Sequence, residues 1–298
     1  MRILIGKTFG LGNAVMSIPM IKALKSMSHS INVLIGSTND DSGALDVFRY
    51  LHKSKIIDHV YIDSAIDGDH DVHDVAIMSI PFDGRWRNGM HYNANKVMDG
   101  RTRPDPSTTG LVSWKKHEVE YQMDNAYQLG YKGEVPDCSF YESLSLQSSN
   151  VYLGVGYKKD AAGFWKQKHW GNENFIELIK LMLNHDCNLK VWATGDTLDW
   201  NINLKKISDE VNDPRFIADI TSIDKAFDII SKCSAYIGND TGVAHVAASM
   251  GLKTLTYLPL ENSFIKNRPW RPKSYDKSVA WRESPSPDTV FMMYKELL

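Results

Sequence analysis

Tyr236-Ile237-Gly238-Asn239-Asp240-Thr241-Gly242-Val243-Ala244-His245-Val246-Ala247-Ala248 runs from a short apolar stretch, through a small polar turn, into a helix of small apolar residues. A strand that feeds a helix in this way is the building unit of a parallel α/β sheet. The turn also presents a helix N-terminus, whose first N–H groups lack intrahelical partners and whose dipole favours an anion. Gly242 permits close approach of a ligand to the backbone, Thr241 adds a hydroxyl donor, and Asp240 can accept from a ribose hydroxyl. His245 lies one turn into the helix, where a structural role and a phosphate contact stand equally open. The turn reads as the seat of a nucleoside diphosphate.

Outward from this turn the same alternation recurs. Strands are predicted over 2–6, 31–36, 60–62 and 75–80, and helices over 14–27, 45–52 and 118–129. Pro19, within the first helix, is expected to bend or restrict it locally. Residues 81–116 lose periodicity and read as long loops rich in Gly, Asn, Pro, Arg and Trp. The Ser-rich stretch 143–150 reads as a linker. Beyond it come predicted strands over 151–156, 189–194, 235–238 and 254–258, with helices over 173–184, 198–211, 223–232 and 243–250. Residues 259–285 are irregular, and Pro287 and Asp288 start a last helix that runs to the end. The pattern predicts an α/β protein with two Rossmann-like parallel-sheet domains, 1–148 and 149–298, facing an interdomain cleft. Loops 7–13, 157–170 and 239–242 fall at carboxyl ends of strands, where such sheets bind ligands.

Composition narrows the function classes. The 298 residues are 43% apolar and 23% charged with net charge −2, which is globular and sets up no global field toward nucleic acid or acidic lipid. Three scattered cysteines without a CxxC pair point away from a disulfide framework or zinc site and toward a reducing cytoplasm. Lys7 interrupts the apolar N-terminus, which does not read as a signal peptide, and no apolar run has membrane-spanning length. Metal-ligand spacings, a P-loop and a GxSxG turn are all missing, so neither a metal nor another cofactor is expected.

Several motifs keep two readings. Lys7-Thr8-Phe9-Gly10-Leu11-Gly12-Asn13 links the first strand to the first helix. It is either a plain βα turn or an acceptor-facing loop carrying Lys7, Gly10, Gly12 and Asn13. Val15 occupies the third small position of a dinucleotide fingerprint and weakens that assignment. Lys168, just ahead of a helix, can reach a phosphate or be solvated. Asp196 and Asp199 can contact ribose or base, or Asp196 can cap a helix. Glu118, after His117, either favours the helix dipole or forms an acid–base pair. Two basic patches are interleaved with aromatics: Arg85-Trp86-Arg87 with Arg101, Arg103, Trp114, Lys115 and Lys116, and Lys266, Arg268, Trp270, Arg271 and Lys273. They suit nucleic acid, a phosphorylated sugar, or ordinary solvated loops.

In this order the pieces resemble glycosyltransferase family 9, the heptosyltransferase-like group of the GT-B fold. The resemblance covers most of the chain: 1–24, His117-Glu118-Val119-Glu120 with its helix to Gly130, Lys168-His169-Trp170, and most specifically 239–251. It implies inverting transfer of a sugar from a nucleotide donor to a hydroxyl, usually without metal. By resemblance Lys168 would neutralise the diphosphate, the Thr241–Gly242 backbone with His245 would cradle it, and Asp240 with Asp199 would orient the nucleoside. The first half would bind the acceptor, a carbohydrate or lipopolysaccharide-type hydroxyl, and the last helix, about 287–298, would cross back to it.

One departure concerns the base. Heptosyltransferases carry an Asp after the second glycine of the first loop, and here Asn13 stands in that place. A neutral amide does not take a proton efficiently at pH 7. Asp40, Asp41, Asp83 or Glu118 could serve instead, or stabilisation of the leaving diphosphate could carry catalysis. Two alternatives follow. One is a bacteriophage-type transferase that acts on hydroxymethylated bases of duplex DNA through the Arg85 and Arg87 patch and its partner. The other is a non-catalytic nucleotide-sugar binding protein.

Overall fold

The computed structural model describes residues 1–7, 10–35, 43–62, 72–79, 94–99, 116–142, 148–157, 168–260, 268–270, 278–281 and 283–297. The chain divides into two compact units, Met1–Phe140 and Tyr141–Leu298. Its fold is the expected GT-B α/β architecture, with one parallel sheet in each unit.

In the first unit the order is β1 (Arg2–Lys7), α1 (Leu11–Ser26), β2 (Ser30–Ile35), α2 (Ala44–Lys53), β3 (His59–Ile62), β4 (His73–Ser79), β5 (Ala94–Asp99) and α3 (Glu118–Gln128). The strands lie in the sequence β3-β2-β1-β4-β5, all parallel. β1 is central, so Ile3, Leu4 and Ile5 are all buried, which is why it reads as an unbroken apolar run. α1 is apolar nearly all round and is buried between β2, α2 and α3. Pro19 removes one helix hydrogen bond, yet α1 continues through it. His117 caps α3: its Nδ1 accepts from the Val119 N–H at 3.1 Å, and Glu120 reaches back to the His117 N–H at 2.7 Å.

Asp58 knots the edge of this unit. It accepts from Lys25 Nζ at 2.9 and 3.0 Å, from Ser30 Oγ at 3.2 Å and from the Ile31 N–H at 2.7 Å. Partial burial works to raise its pKa, but the Lys25 and Ile31 bonds outweigh burial and hold the carboxyl below its ordinary value. A depressed folded pKa stabilises above the unfolded pKa, and the gain is lost as pH falls through the folded value. Asp58→Asn is therefore expected to lower stability at pH 7 by about 1 kcal/mol, allowing for solvent screening. Thermal melts of variant and wild type should converge below about pH 4.

In the second unit the order is β6 (Val151–Gly154), α4 (Asn172–His185), β7 (Val191–Gly195), α5 (Thr197–Asp199), a π-helical turn (Trp200–Leu204), α6 (Lys205–Val211), β8 (Phe216–Ile220), α7 (Ile223–Ile230), β9 (Ala235–Asn239), α8 (Gly242–Ser249), β10 (Lys253–Tyr257), β11 (Ser278–Trp281) and α9 (Pro287–Leu297). Its six parallel strands run β11-β10-β9-β6-β7-β8. The core gathers Leu153, Phe175, Ile179, Val191, Ile237 and Leu255 between the sheet and α4.

Two differences from the sequence reading have physical causes. β5, β8 and β11 were not foreseen, and all three are outermost strands. An edge strand is held by one neighbour and buries less: in β8 only Phe216 is buried, and Ile220 is 46% exposed. The helix expected over 198–211 is broken by the π-helical turn, where Asn172 Nδ2 donates to the Ile202 carbonyl at 3.3 Å. At the start of the second unit the Tyr141 hydroxyl bonds Asp228 and its ring packs on Phe227. Val290, Tyr294 and Leu297 of α9 join the second-unit core beside α4.

Candidate functional site

Strand order reverses at one place in each sheet, and open α/β sheets bind ligands outside the carboxyl ends at that reversal. In the second unit the chain winds outward through β6, β7 and β8, then returns to β6's other side with β9. The switch point therefore lies between β6 and β9. Register sets Tyr152 beside Tyr236 and Gly154 beside Gly238. The tyrosine rings stack with centroids 6.3 Å apart. A Cβ on Gly238 would fall 2.5 Å from the Gly154 carbonyl oxygen, and one on Gly154 would fall 2.6 Å from Tyr236 Cζ. The two glycines thus let the strand ends close together with the Tyr236 ring lying over Gly154.

The polar groups above them are tightly held. Tyr236 Oη donates to the Asn239 carbonyl at 2.9 Å and lies 3.4 Å from Thr241 Oγ1. Burial raises the Tyr236 pKa and pushes that of Tyr152 up to about 12, so both hydroxyls keep their protons. Asn239 is fully buried. Its Nδ2 donates to the Val155 carbonyl at 2.9 Å and the Gly156 carbonyl at 3.2 Å, and its Oδ1 accepts from the Trp170 N–H at 3.0 Å.

Asp240 accepts from Lys168 Nζ, and the two side chains are only 5% and 10% exposed. The ammonium stands at the carboxyl end of β9, directly before α8. Thr241 is the α8 N-cap with an extended backbone (φ −132°, ψ 166°), and its own side chain makes no capping hydrogen bond. Gly242 and Val243 are half-buried, and His245 is buried one turn in. A buried cation and a helix N-terminus both favour an anion at this end of the sheet. Asp240 offsets the cation's charge.

Asp196 and Asp199 lie at the neighbouring end of β7. Asp196 Oδ1 accepts from the Asp199 N–H at 2.8 Å, so it caps the short α5. The Asp199 side chain covers both strand ends: a Cβ on Gly195 would fall 2.5 Å from Asp199 Cβ, and one on Gly156 would fall 2.9 Å from Asp199 Oδ2. Its carboxylate therefore faces the β6–β7 end of the crevice.

In the first unit the reversal lies between β1 and β4. Lys7 closes β1 in register with Ser79 of β4. Gly10 caps α1 at φ −65°, is exposed, and has open space where a Cβ would stand. Gly12 and Asn13 follow it in the first turn of α1, half-buried. Glu118 is buried in α3, where its Oε1 accepts from Gln122 Nε2 at 3.3 Å. Asp40, Asp41, Asp83, Arg85 and Arg87 lie outside the described residues, as do Trp86, Arg101, Arg103, Trp114, Lys115, Lys266, Arg271 and Lys273. Only Lys116, Arg268 and Trp270 of the two basic patches are described.

Sequence reasoning missed Asn239, Tyr236, Gly154 and Gly238 as site-builders. Their residue types stood in view, but their partners are set by strand register and by contacts across 69 and 84 residues. Among the described residues no group of three or more His, Cys, Asp or Glu could hold a metal ion, and no helix is long and apolar enough to cross a membrane.

Comparison with known proteins places this geometry. The family model described as Glycosyltransferase family 9 (heptosyltransferase) matches residues 111–289. The sequence matches no curated protein. The fold is similar to the E. coli heptosyltransferase WaaC with ADP (TM-score 0.74, 15% identity, 100% of both chains covered). It is similar also to the glycosyl transferase family 9 protein from Veillonella parvula DSM 2008 (TM-score 0.73, 12% identity, 99% of this chain and 96% of that one). A third similar structure is the E. coli ADP-heptose lps heptosyltransferase II (TM-score 0.68, 16% identity, 100% and 98%).

Proposed function

Since this chain belongs to glycosyltransferase family 9, we propose that it transfers a sugar, with inversion, from a nucleoside-diphosphate donor to a hydroxyl acceptor of carbohydrate or lipopolysaccharide type. The observation that carries this reading is the Lys168–Asp240 pair buried at the switch point, directly before the start of α8, whose N-cap Thr241 makes no side-chain capping bond. In the reaction the acceptor oxygen bonds to the anomeric carbon as the bond from that carbon to the diphosphate oxygen breaks. The departing diphosphate gathers negative charge, and Lys168 with the first N–H groups of α8 meets that charge. Thr241, Gly242 and His245 complete the phosphate cradle, while Asp240 and Asp199 orient the nucleoside. Lys7, Gly10, Gly12 and Asn13 face the acceptor. Asn13 holds a hydroxyl by hydrogen bonding, and Glu118 takes the acceptor proton. No metal is required by this scheme, because a lysine and a helix dipole supply the positive charge.

The test is a thermal-shift screen of nucleosides, nucleoside diphosphates and nucleotide sugars, with ADP among them. At a ligand concentration one hundred times Kd, binding to the folded state alone adds about 2.7 kcal/mol. One nucleoside diphosphate is expected to raise Tm by several degrees, and its sugar conjugate should be hydrolysed slowly or transferred to a hydroxylated acceptor. No shift with any nucleoside diphosphate at millimolar concentration would refute the donor site. A shift without turnover on any acceptor would instead favour a binding protein.

A further inference from the structure

Asn239 closes β9 and is wholly buried, so it presents no atom to a ligand in solution. Its amide nevertheless joins three separate pieces of backbone. The two donors on Nδ2 go to Val155 and Gly156, where the chain leaves β6, and the Oδ1 acceptor takes the Trp170 N–H. The amide's orientation follows from its partners, because two carbonyls face one end and an N–H faces the other. Trp170 lies two residues after Lys168, and Asp240 lies one residue after Asn239. The segment 168–170 is thus held twice by consecutive residues: Asn239 fixes its main chain, and Asp240 receives its ammonium. Trp170 is held elsewhere too: its carbonyl accepts from Asn174 Nδ2 at 2.6 Å, its Nε1 donates to the Pro285 carbonyl at 3.1 Å, and its ring packs against Phe175 at 5.1 Å, but it is Asn239 that takes the main-chain N–H while also binding the end of β6.

We infer that Asn239 is a positioning residue: through the Trp170 N–H it sets where the Lys168 ammonium stands relative to the start of α8, and so governs how strongly Lys168 engages a diphosphate. This rests on the donor-site reading above. Serine at 239 reaches neither partner set, and aspartate keeps the acceptor but loses both donors. An asparagine alone supplies two donors and one acceptor at this length.

The first experiment uses the protein without nucleotide. Wild type and Asn239→Ser are treated with an acetylating ester, and modification of Lys168 is followed by peptide mass spectrometry. Acetylation of Lys168 is expected to quicken several-fold in the variant, with Lys205 and Lys232 unchanged as controls. An unchanged Lys168 rate overturns the inference whether or not the protein binds nucleotides. In the second experiment, Asn239→Ser should weaken a nucleoside diphosphate about tenfold, within the range for residues in contact, and leave the parent nucleoside unchanged. Equal weakening of both ligands, as a general structural defect gives, overturns it. In a Lys168→Ala background the Asn239→Ser change should add no further loss of diphosphate affinity, and additive losses overturn it. If the variant does not fold, amide exchange in the wild type decides: a protected Trp170 N–H is expected, and rapid exchange overturns the hydrogen bond on which the inference stands. Failure of the wild type to bind any nucleoside diphosphate would defeat the donor reading, while Lys168 acetylation would still test the placement of its ammonium.

Discussion

Lys168→Ala is expected to reduce transfer, or donor hydrolysis, by about 10²–10³-fold, the loss seen when one group that stabilises developing oxyanion charge is removed. The side chain is long, yet it is 10% exposed and bonded to Asp240, so it already occupies one place rather than sampling many. Alanine removes the ammonium and leaves the Asp240 carboxylate in the crevice, where it opposes an incoming diphosphate. The same change should destabilise the second unit, since loss of one partner of a buried pair costs about 3–5 kcal/mol. These effects separate in Lys168→Ala/Asp240→Asn, which removes both charges. Its stability should recover much of the loss while diphosphate binding stays weak. Calorimetry with a nucleoside diphosphate, beside thermal melts of the three proteins, reads both quantities. Wild-type affinity in the single variant would remove Lys168 from the donor site.

A large effect on folding is also expected from Gly238→Ala. The new methyl would stand 2.5 Å from the Gly154 carbonyl oxygen and 2.7 Å from that residue's Cα and N. These are backbone atoms of a paired central strand, with no flexible side-chain end to turn aside. Overpacking of this kind costs about 3 kcal/mol or more. At about 2–4 °C per kcal/mol for a unit of this size, Tm should fall by roughly 6–12 °C. Gly10→Ala is the contrast. Gly10 has open space at its Cβ position and an ordinary φ of −65°. Alanine there is expected to cost about 1 kcal/mol or less, the difference between the two residues as helix caps. A Gly238→Ala protein that melts like wild type would show that β6 and β9 are not joined as described.

The sequence carried the central strands well. β1, β2, β6 and β9 are covered on both faces, and that burial demands continuous short apolar runs. It carried α1 and α8 for a related reason, since a helix wedged against a sheet shows its small and apolar face in its spacing. Edge strands were not legible, because β5 with its Asn95-Lys96 pair is polar enough to read as loop until β4 is beside it. Asp196 illustrates a different limit. From sequence it was as good a ribose contact as a cap, and the structure shows the cap because the Asp199 N–H lies 2.8 Å from its carboxylate.

Residue order by itself determined a doubly wound pair of parallel sheets and a helix start at Thr241 and Gly242. Both are encoded in local periodicity and turn chemistry, which act over a few neighbouring residues. Only the tertiary structure decided that Lys168 pairs with Asp240 across 72 residues, that Gly238 lies against Gly154, and that the amide of Asn239 binds two strand ends to the lysine's segment. The physical reason is that periodicity records which face of an element leaves water, whereas the identity of the group that fills the space opposite is set by register and packing between segments far apart in the chain.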